Sequence, residues 1–167
     1  MSGKKFIEGE KRLLDAIIYL KNHEVASTDI LNIINEQLEL PKEETKVPIS
    51  VFNNDKLGSL ETIVKYLREN MLLTFKQIAS LTNRNEVALA VTYRNAKRKL
   101  ATKFTEEPSP YSILVSILKD RNLSVLENIA AYLKDKFGLT YHNIGVLLNM
   151  DDRTIWTVYQ RAKKKKK

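Results

Sequence analysis

Residues 123–165 of the chain, LSVLENIAAYLKDKFGLTYHNIGVLLNMDDRTIWTVYQRAKKK, repeat an earlier stretch of the same sequence at a distance of 66 residues. The earlier stretch is residues 57–99, LGSLETIVKYLRENMLLTFKQIASLTNRNEVALAVTYRNAKRK, and the two align without a gap. Fifteen of the 43 aligned positions are identical. Self-similarity at a fixed period is typical of duplicated structural units. We therefore predict two copies of one fold, copy one (residues 57–99) and copy two (residues 123–165).

Copy two carries the local features of three consecutive helices. Ser124 and Glu127 have the spacing of a capping box at a helix start. Gly138 is placed for the left-handed residue that ends a helix. Thr140 and Asp151 are N-cap candidates for a short second helix and a longer third one. Apolar residues expected to face inward recur at helical spacing, namely Leu126, Ile129, Ala130, Leu133, Tyr141, Ile144, Leu147, Leu148, Ile155, Tyr159 and Ala162.

Copy one has the same layout. Thr74 and Gln77 form another predicted capping box, and Asn85 is the N-cap candidate of the third helix. Its inward residues are Ile78, Leu81, Leu89, Tyr93 and Ala96. A short helix, a turn of three to four residues and a longer helix are typical of the helix-turn-helix, whose last helix enters the DNA major groove. The same layout also occurs in small helical units that do not bind DNA.

The rest of the chain is also predicted to be mostly helical. Residues 5–23 and 27–38 suggest two amphipathic helices, which form an N-terminal hairpin over residues 1–42 and a candidate dimerisation element over residues 5–40. That hairpin could equally pack against copy one. The predicted fold is therefore all-α: the hairpin, then two tandem three-helix helix-turn-helix units over residues 47–104 and 111–167, joined by a linker at residues 105–110. The aliphatic stretches 47–52 and 113–118 precede the two repeats as strands or as a leading helix, and we favour a helix for the second.

The composition narrows the class of protein. The 167 residues include 28 Lys and Arg against 20 Asp and Glu, a net charge of +8 that suits a polyanionic partner. Lysine-rich surfaces also serve solubility alone. The absence of cysteine excludes disulfides and thiolate zinc sites and favours a reducing compartment. We find no apolar run long enough for a membrane span and no signal peptide, so we expect the cytoplasm or nucleoid.

We find no pattern that supports catalysis. His23 and His142 lie far apart in the sequence, and neither has a neighbouring carboxylate or a metal-spaced partner. No phosphate-binding glycine loop, nucleophile elbow or paired-ligand motif is present. We therefore predict that the protein is not an enzyme and that it has neither a cofactor nor a metal site.

The segment GLTYHNIGVLLNMDDRTIWTVYQRAKKK resembles region four of bacterial sigma factors and related tandem helix-turn-helix regulators. The resemblance covers about 43 residues of each copy, roughly half of the chain. It departs from the family at the turn, which lacks the usual central glycine, and no segment resembles sigma region two. The resemblance implies that base and backbone contacts come from the outer face of the third helix. In copy two these positions are Arg153, Thr154, Trp156, Thr157, Gln160 and Arg161, with Lys164 added for phosphate.

The two copies differ at these outer positions. Copy one has Val87, Ala88, Ala90 and Val91 there, which cannot hydrogen-bond base edges. We therefore predict that copy two recognises sequence, while copy one binds backbone, recognises thymine methyls weakly or packs against protein. An indole at Trp156 is more often a core or interface residue than a base contact. The copy one residues expected to contact DNA are Arg84, Arg94, Asn95, Lys97 and Arg98.

We expect a transcription regulator or nucleoid-associated protein whose partner is double-stranded DNA. The alternative is a protein-interaction adaptor in which the aliphatic tip of copy one and the N-terminal hairpin dock on RNA polymerase or another regulator. RNA binding ranks third, because few aromatic residues are expected at the surface for base stacking. The DNA sequence, the regulatory sense and the oligomeric state stay open at this stage.

Overall fold

The computed structural model describes residues 2–23, 25–30, 45–105 and 108–166, with backbone only for residues 2–10 and 13. The chain divides into two compact units, Met1–Glu43 and Glu44–Lys167. The described residues are mostly helical, so the all-α prediction is confirmed at the level of fold class.

The first unit contains helix α1 (Ser2–Asn22), which confirms the predicted amphipathic helix over residues 5–23. Residues 27–30 are also helical. The remainder of the predicted helix 27–38 and of the dimerisation element 5–40 lies outside the described residues. On α1, three large apolar side chains are exposed, namely Leu14, Ile18 and Tyr19.

The second unit holds both copies, and each copy forms three helices. In copy one they are α2 (Ser59–Glu69), α3 (Phe75–Thr82) and α4 (Glu86–Lys99). In copy two they are α5 (Val125–Phe137), α6 (Tyr141–Leu148) and α7 (Asp152–Lys165). Each copy is preceded by a short strand and a 3-10 turn: β1 (Lys46–Pro48) with Ile49–Phe52, and β2 (Ser112–Leu114) with Val115–Lys119.

The helix starts are capped as the sequence predicts. The side chains of Thr74 and Ser124 accept hydrogen bonds from the backbone N–H three residues on, each within a capping box. The predicted caps Asn85, Thr140 and Asp151 also accept backbone hydrogen bonds. These contacts satisfy backbone N–H groups that have no partner inside the helix.

Left-handed residues end the first and second helices of copy two. Gly138 ends α5 at φ 65°, a conformation that glycine adopts without steric cost. Leu72 stands at the equivalent place in copy one and adopts φ 57°, which is unfavourable for a side chain with a Cβ. Asn83 and Asn149 end α3 and α6 at φ 52°, and asparagine is the residue that best tolerates this region after glycine. In each copy, the tight turn between the second and third helices therefore begins with an asparagine in the left-handed conformation.

The two segments that precede the copies pair with each other. Strands β1 and β2 are antiparallel, and Val47 lies opposite Ile113. The prediction of a leading helix for residues 113–118 is confirmed only in part, because the stretch begins within β2 and continues as the 3-10 helix Val115–Lys119. The physical reason is that strand pairing satisfies its backbone groups, and the β-branched Ile113 suits a pleated, buried position.

This pairing relates the two copies by a local twofold axis. Val47 and Ile113 are equivalent residues, since they lie 66 positions apart, and each is the partner of the other. The flanking hydrogen bonds are also equivalent: Ile49 N donates to Tyr111 O at 3.1 Å, and Val115 N donates to Thr45 O at 2.9 Å. Reciprocal contacts between the same residues are what a twofold interface produces. The chain therefore folds as an internal pseudo-dimer.

The two copies share one hydrophobic core. The 3-10 turn of copy two packs against α3 of copy one, and the 3-10 turn of copy one packs against α6 of copy two. One cluster of buried side chains includes Phe52 and Ile63 from the first half and Leu118 and Leu133 from the second. Neither copy therefore completes its core from its own residues alone.

Polar contacts that link the first and third helices are also duplicated. Lys99 Nζ donates to Glu61 Oε1 at 2.8 Å, and Lys165 Nζ donates to Glu127 Oε2 at the same distance. Burial would raise the pKa of Glu127, but hydrogen bonds from Lys165 and from the Ser124 backbone outweigh it, so the pKa lies below its usual value. The pKa of Glu61 is lowered in the same way.

We expect the double substitution Glu61→Gln and Glu127→Gln to lower the free energy of unfolding at neutral pH by about 1 kcal/mol or less for each of the two ion pairs, the size typical of pairs with an exposed lysine. Because both folded-state pKa values are lowered, this stabilisation is present above the unfolded carboxyl pKa of about 4.3 and is lost as the pH falls through the folded-state values. Urea unfolding of wild type and variant over a pH series measures it. The control is Asp15→Asn on α1, and a difference that persists in acid would contradict the prediction.

Candidate nucleic-acid interface

The outer face of α7 is polar, cationic and open to solvent. Arg153, Thr154, Gln160, Arg161 and Lys164 are all exposed. Thr157 is partly buried and its Oγ1 donates to Arg153 O at 2.9 Å, which leaves its methyl group and a lone pair for an outside partner. From Arg153 to the last residue the sequence holds seven cations and no carboxylate.

Trp156 lies on the same helix with 52% of its surface exposed. It is therefore not a core residue in this chain, although an indole commonly is. The face that α7 packs inward consists of Ile155, Val158 and Ala162, which confirms the predicted inner positions Ile155 and Ala162.

The outer face of α4 in copy one is apolar at the equivalent positions. Val87 is 71% exposed and Val91 is 45% exposed, with exposed Ala88 between them. Arg94, at the position of Gln160, is also exposed, whereas Asn95 is partly buried. The contrast between the two outer faces that the sequence predicts is therefore present at the surface.

The predicted phosphate contacts of copy one are partly engaged within the protein. Lys97 Nζ lies 3.4 Å from Glu69 Oε1 and 6.0 Å from the ring centre of Tyr93. Tyr93 and the Glu69 carboxylate raise the pKa of Lys97, so the ammonium stays charged. Arg98 Nη2 donates to Asn95 Oδ1 at 3.0 Å, an uncharged partner that leaves its positive charge available.

Arg84 is less exposed than the sequence-based prediction of a DNA contact suggests. It is partly buried where the turn after α3 meets the 3-10 turn of copy two. Burial, and then the charge of Arg121, lower its pKa. Sequence reasoning missed Arg121 and Lys119, which come from the segment before copy two and lie beside this turn. The alignment of the two copies contains a signal for these residues, because Arg121 and Lys119 align with Asp55 and Asn53. The charge therefore differs between the copies at both positions.

The equivalent turn of copy two borders an open cleft of about 760 Å³. This cleft is acidic, whereas the turn of copy one is cationic. Asp151 and Asp152 line it, and they carry negative charge next to the start of α7. Gly145 lies so close to the turn that a Cβ there would be 2.6 Å from Met150 O. This cleft is lined by Asn53, His142, Gly145, Val146, Asn149, Met150, Asp151 and Asp152.

Within the described ranges, no three His, Asp or Glu side chains are grouped so that they could hold a metal ion. No helix in that part of the chain has both the length and the apolar character that crossing a bilayer requires. Comparison with known proteins finds no matching family model, no matching curated protein and no matching solved structure.

Proposed function

We propose that the protein binds duplex DNA through two helix-turn-helix units, α3–α4 and α6–α7, and acts as a transcription regulator or nucleoid-associated protein. The observation that carries this proposal is the outer face of α7, where Arg153, Gln160 and Arg161 are exposed together. The proposal is also supported by the order of elements, since a short helix, a turn with a left-handed asparagine and a longer cationic helix are the parts of a helix-turn-helix, the motif whose last helix enters a major groove.

The side chains on α7 have the chemistry for base recognition. An arginine can donate two hydrogen bonds to the O6 and N7 atoms of guanine, and a glutamine can pair in the same way with adenine. A threonine methyl group can contact the methyl group of thymine. The lysines near the end of α7 supply phosphate contacts that add affinity without selecting a sequence.

Copy one has the complementary role in this proposal. The outer face of α4 offers few hydrogen bonds, but Arg94 and Arg98 are exposed and able to contact phosphate. One chain would therefore bind a DNA site in two halves. Copy two would contact the bases of one half, and copy one would contact the phosphates of the other half. Residues 5–40 are our candidate for self-association, and the exposed Leu14 and Ile18 of α1 support that role.

Fluorescence anisotropy with labelled mixed-sequence duplexes tests the proposal. We expect binding at about 50 mM salt and a loss of about 10²-fold in affinity at about 200 mM salt, because each phosphate contact releases counterions. This loss corresponds to about four phosphate contacts. Competition with single-stranded RNA separates DNA binding from RNA binding. If no duplex binds at the lower salt concentration, the proposal is wrong.

A second candidate function follows from the exposed Val87 and Val91 of α4. An exposed apolar patch with cations around it is typical of a protein contact. In this alternative, copy one docks on RNA polymerase or another regulator. Direct binding of the purified polymerase, abolished by Val87→Asp with duplex binding retained, would support this function.

A further inference from the structure

Two arginines from different parts of the sequence meet at the turn between α3 and α4. Arg121 Nη1 donates to Asn83 O at 3.1 Å, which holds its guanidinium beside the residue that precedes Arg84. Asn83 Nδ2 also lies 3.5 Å from Lys119 O, so the turn is attached at two points to the segment before copy two. Two cationic side chains, Arg84 and Arg121, are therefore close together at one cross-repeat contact.

Within the described residues, no carboxylate forms an ion pair with Arg84 or Arg121. Arg84 Nε is buried without a hydrogen-bond partner. Asp120 is adjacent in sequence to Arg121, but its Oδ1 accepts from Asn122 N at 2.9 Å. Glu86 is exposed at the start of α4. Two neighbouring guanidiniums repel each other, and an anion that binds between them relieves this repulsion.

The local twofold axis supplies an internal comparison. The equivalents of Arg84, Lys119 and Arg121 in the other half of the pseudo-dimer are Met150, Asn53 and Asp55. The corresponding contact, between α6 and the 3-10 segment of copy one, therefore forms with no cation at these positions. The cations are consequently not a requirement of the fold, since the second contact forms without them.

We propose that Arg84 and Arg121 form an anion site that binds a phosphate group, in the first place a backbone phosphate of duplex DNA. The planar, multiply donating guanidinium suits phosphate oxygens, and two of them can share one phosphate. This inference rests on the proposed function for the source of the phosphate, although free phosphate offers the same chemistry. In this proposal the turn between α3 and α4 contacts a phosphate of the DNA backbone. The turn between α6 and α7 does not, because Asp151 and Asp152 make it acidic.

The salt dependence of duplex binding by the full chain tests the site. We expect Arg84→Gln and Arg121→Gln each to make the slope of log affinity against log salt less steep, and the double variant to reduce it by about 0.9, the value of the one phosphate that the two arginines share. The matched control is Lys56→Gln, which removes one charge beside Asp55 at the equivalent place on the other half. The control should leave the slope unchanged. Circular dichroism checks that each variant is folded.

A second measurement separates the site from the proposed function. Inorganic phosphate is titrated against chloride at equal ionic strength, and the Nε–H resonances of the arginines are followed by NMR. Shifts at Arg84 and Arg121, lost in Arg121→Gln, support the site even if no duplex binds. Duplex binding with unchanged slopes in both variants, or an absence of phosphate-dependent shifts, would overturn the site and leave the proposed function in place.

Discussion

Replacing Arg153 and Gln160 together with alanine should weaken binding to the preferred duplex by about 30-fold to 10⁴-fold, since each bidentate base contact is worth about 1–3 kcal/mol. Binding to unrelated duplexes should weaken much less, because phosphate contacts from the rest of α7 persist. The preferred duplex is first selected from a random pool, and affinities for it and for a scrambled duplex are then compared by anisotropy. The expected result is a loss of preference more than a loss of binding.

The duplication supplies the control for this experiment. Val87 and Arg94 occupy the equivalent positions on α4, and both are exposed. Alanine at these two positions should change the affinity for all duplexes by a similar factor. If the copy one variant loses its sequence preference while the copy two variant keeps it, the roles of the two copies are reversed.

Replacing Leu118 with alanine should lower the free energy of unfolding by about 2–5 kcal/mol, the usual cost of removing a large aliphatic side chain from a packed core. Leu118 is fully buried in the 3-10 turn of copy two, which packs against α3 of copy one. Because the two copies share this core, residues 44–167 should still unfold in one transition. Denaturant unfolding followed by circular dichroism measures both the loss and its cooperativity.

Val146→Ala serves as the matched control, since Val146 lies on α6 of the same copy with 64% of its surface exposed. We expect a change within about 0.5 kcal/mol there, as for most surface substitutions. Separate transitions for the two copies in the Leu118 variant would show that they are independent domains, and that result would contradict the shared core.

Several features of the fold were predictable because their causes are local. The capping residues Thr74, Asn85 and Ser124 act on backbone groups two or three positions away, so the sequence alone locates the helix starts. The outer positions of α7 were predictable for the same reason, since helical periodicity decides which residues face away from Ile155 and Ala162. Leu72 shows a limit, because nothing in its own type suggests a left-handed residue.

Other features depended on residues that are distant in the sequence. Lys65 is fully buried and hydrogen-bonded to Glu69, whereas the equivalent residue of copy two is Ala131. Its Nζ lies 5.8 Å from the ring centre of Phe104, which follows α4 at the end of the first repeat. A lysine at the surface of an isolated helix gives no indication of such burial, since Phe104 is 39 positions further along the chain.

The sequence by itself determined the duplication, the three helices of each copy, their caps and the cationic outer face of α7, because these follow from the order of neighbouring residues. Only the tertiary structure decided that β1 pairs with β2, that each 3-10 turn packs on the opposite copy and that Arg84 meets Arg121. Strand pairing and core packing depend on which segments approach one another in space, and a one-dimensional pattern of apolar and charged residues does not specify that approach.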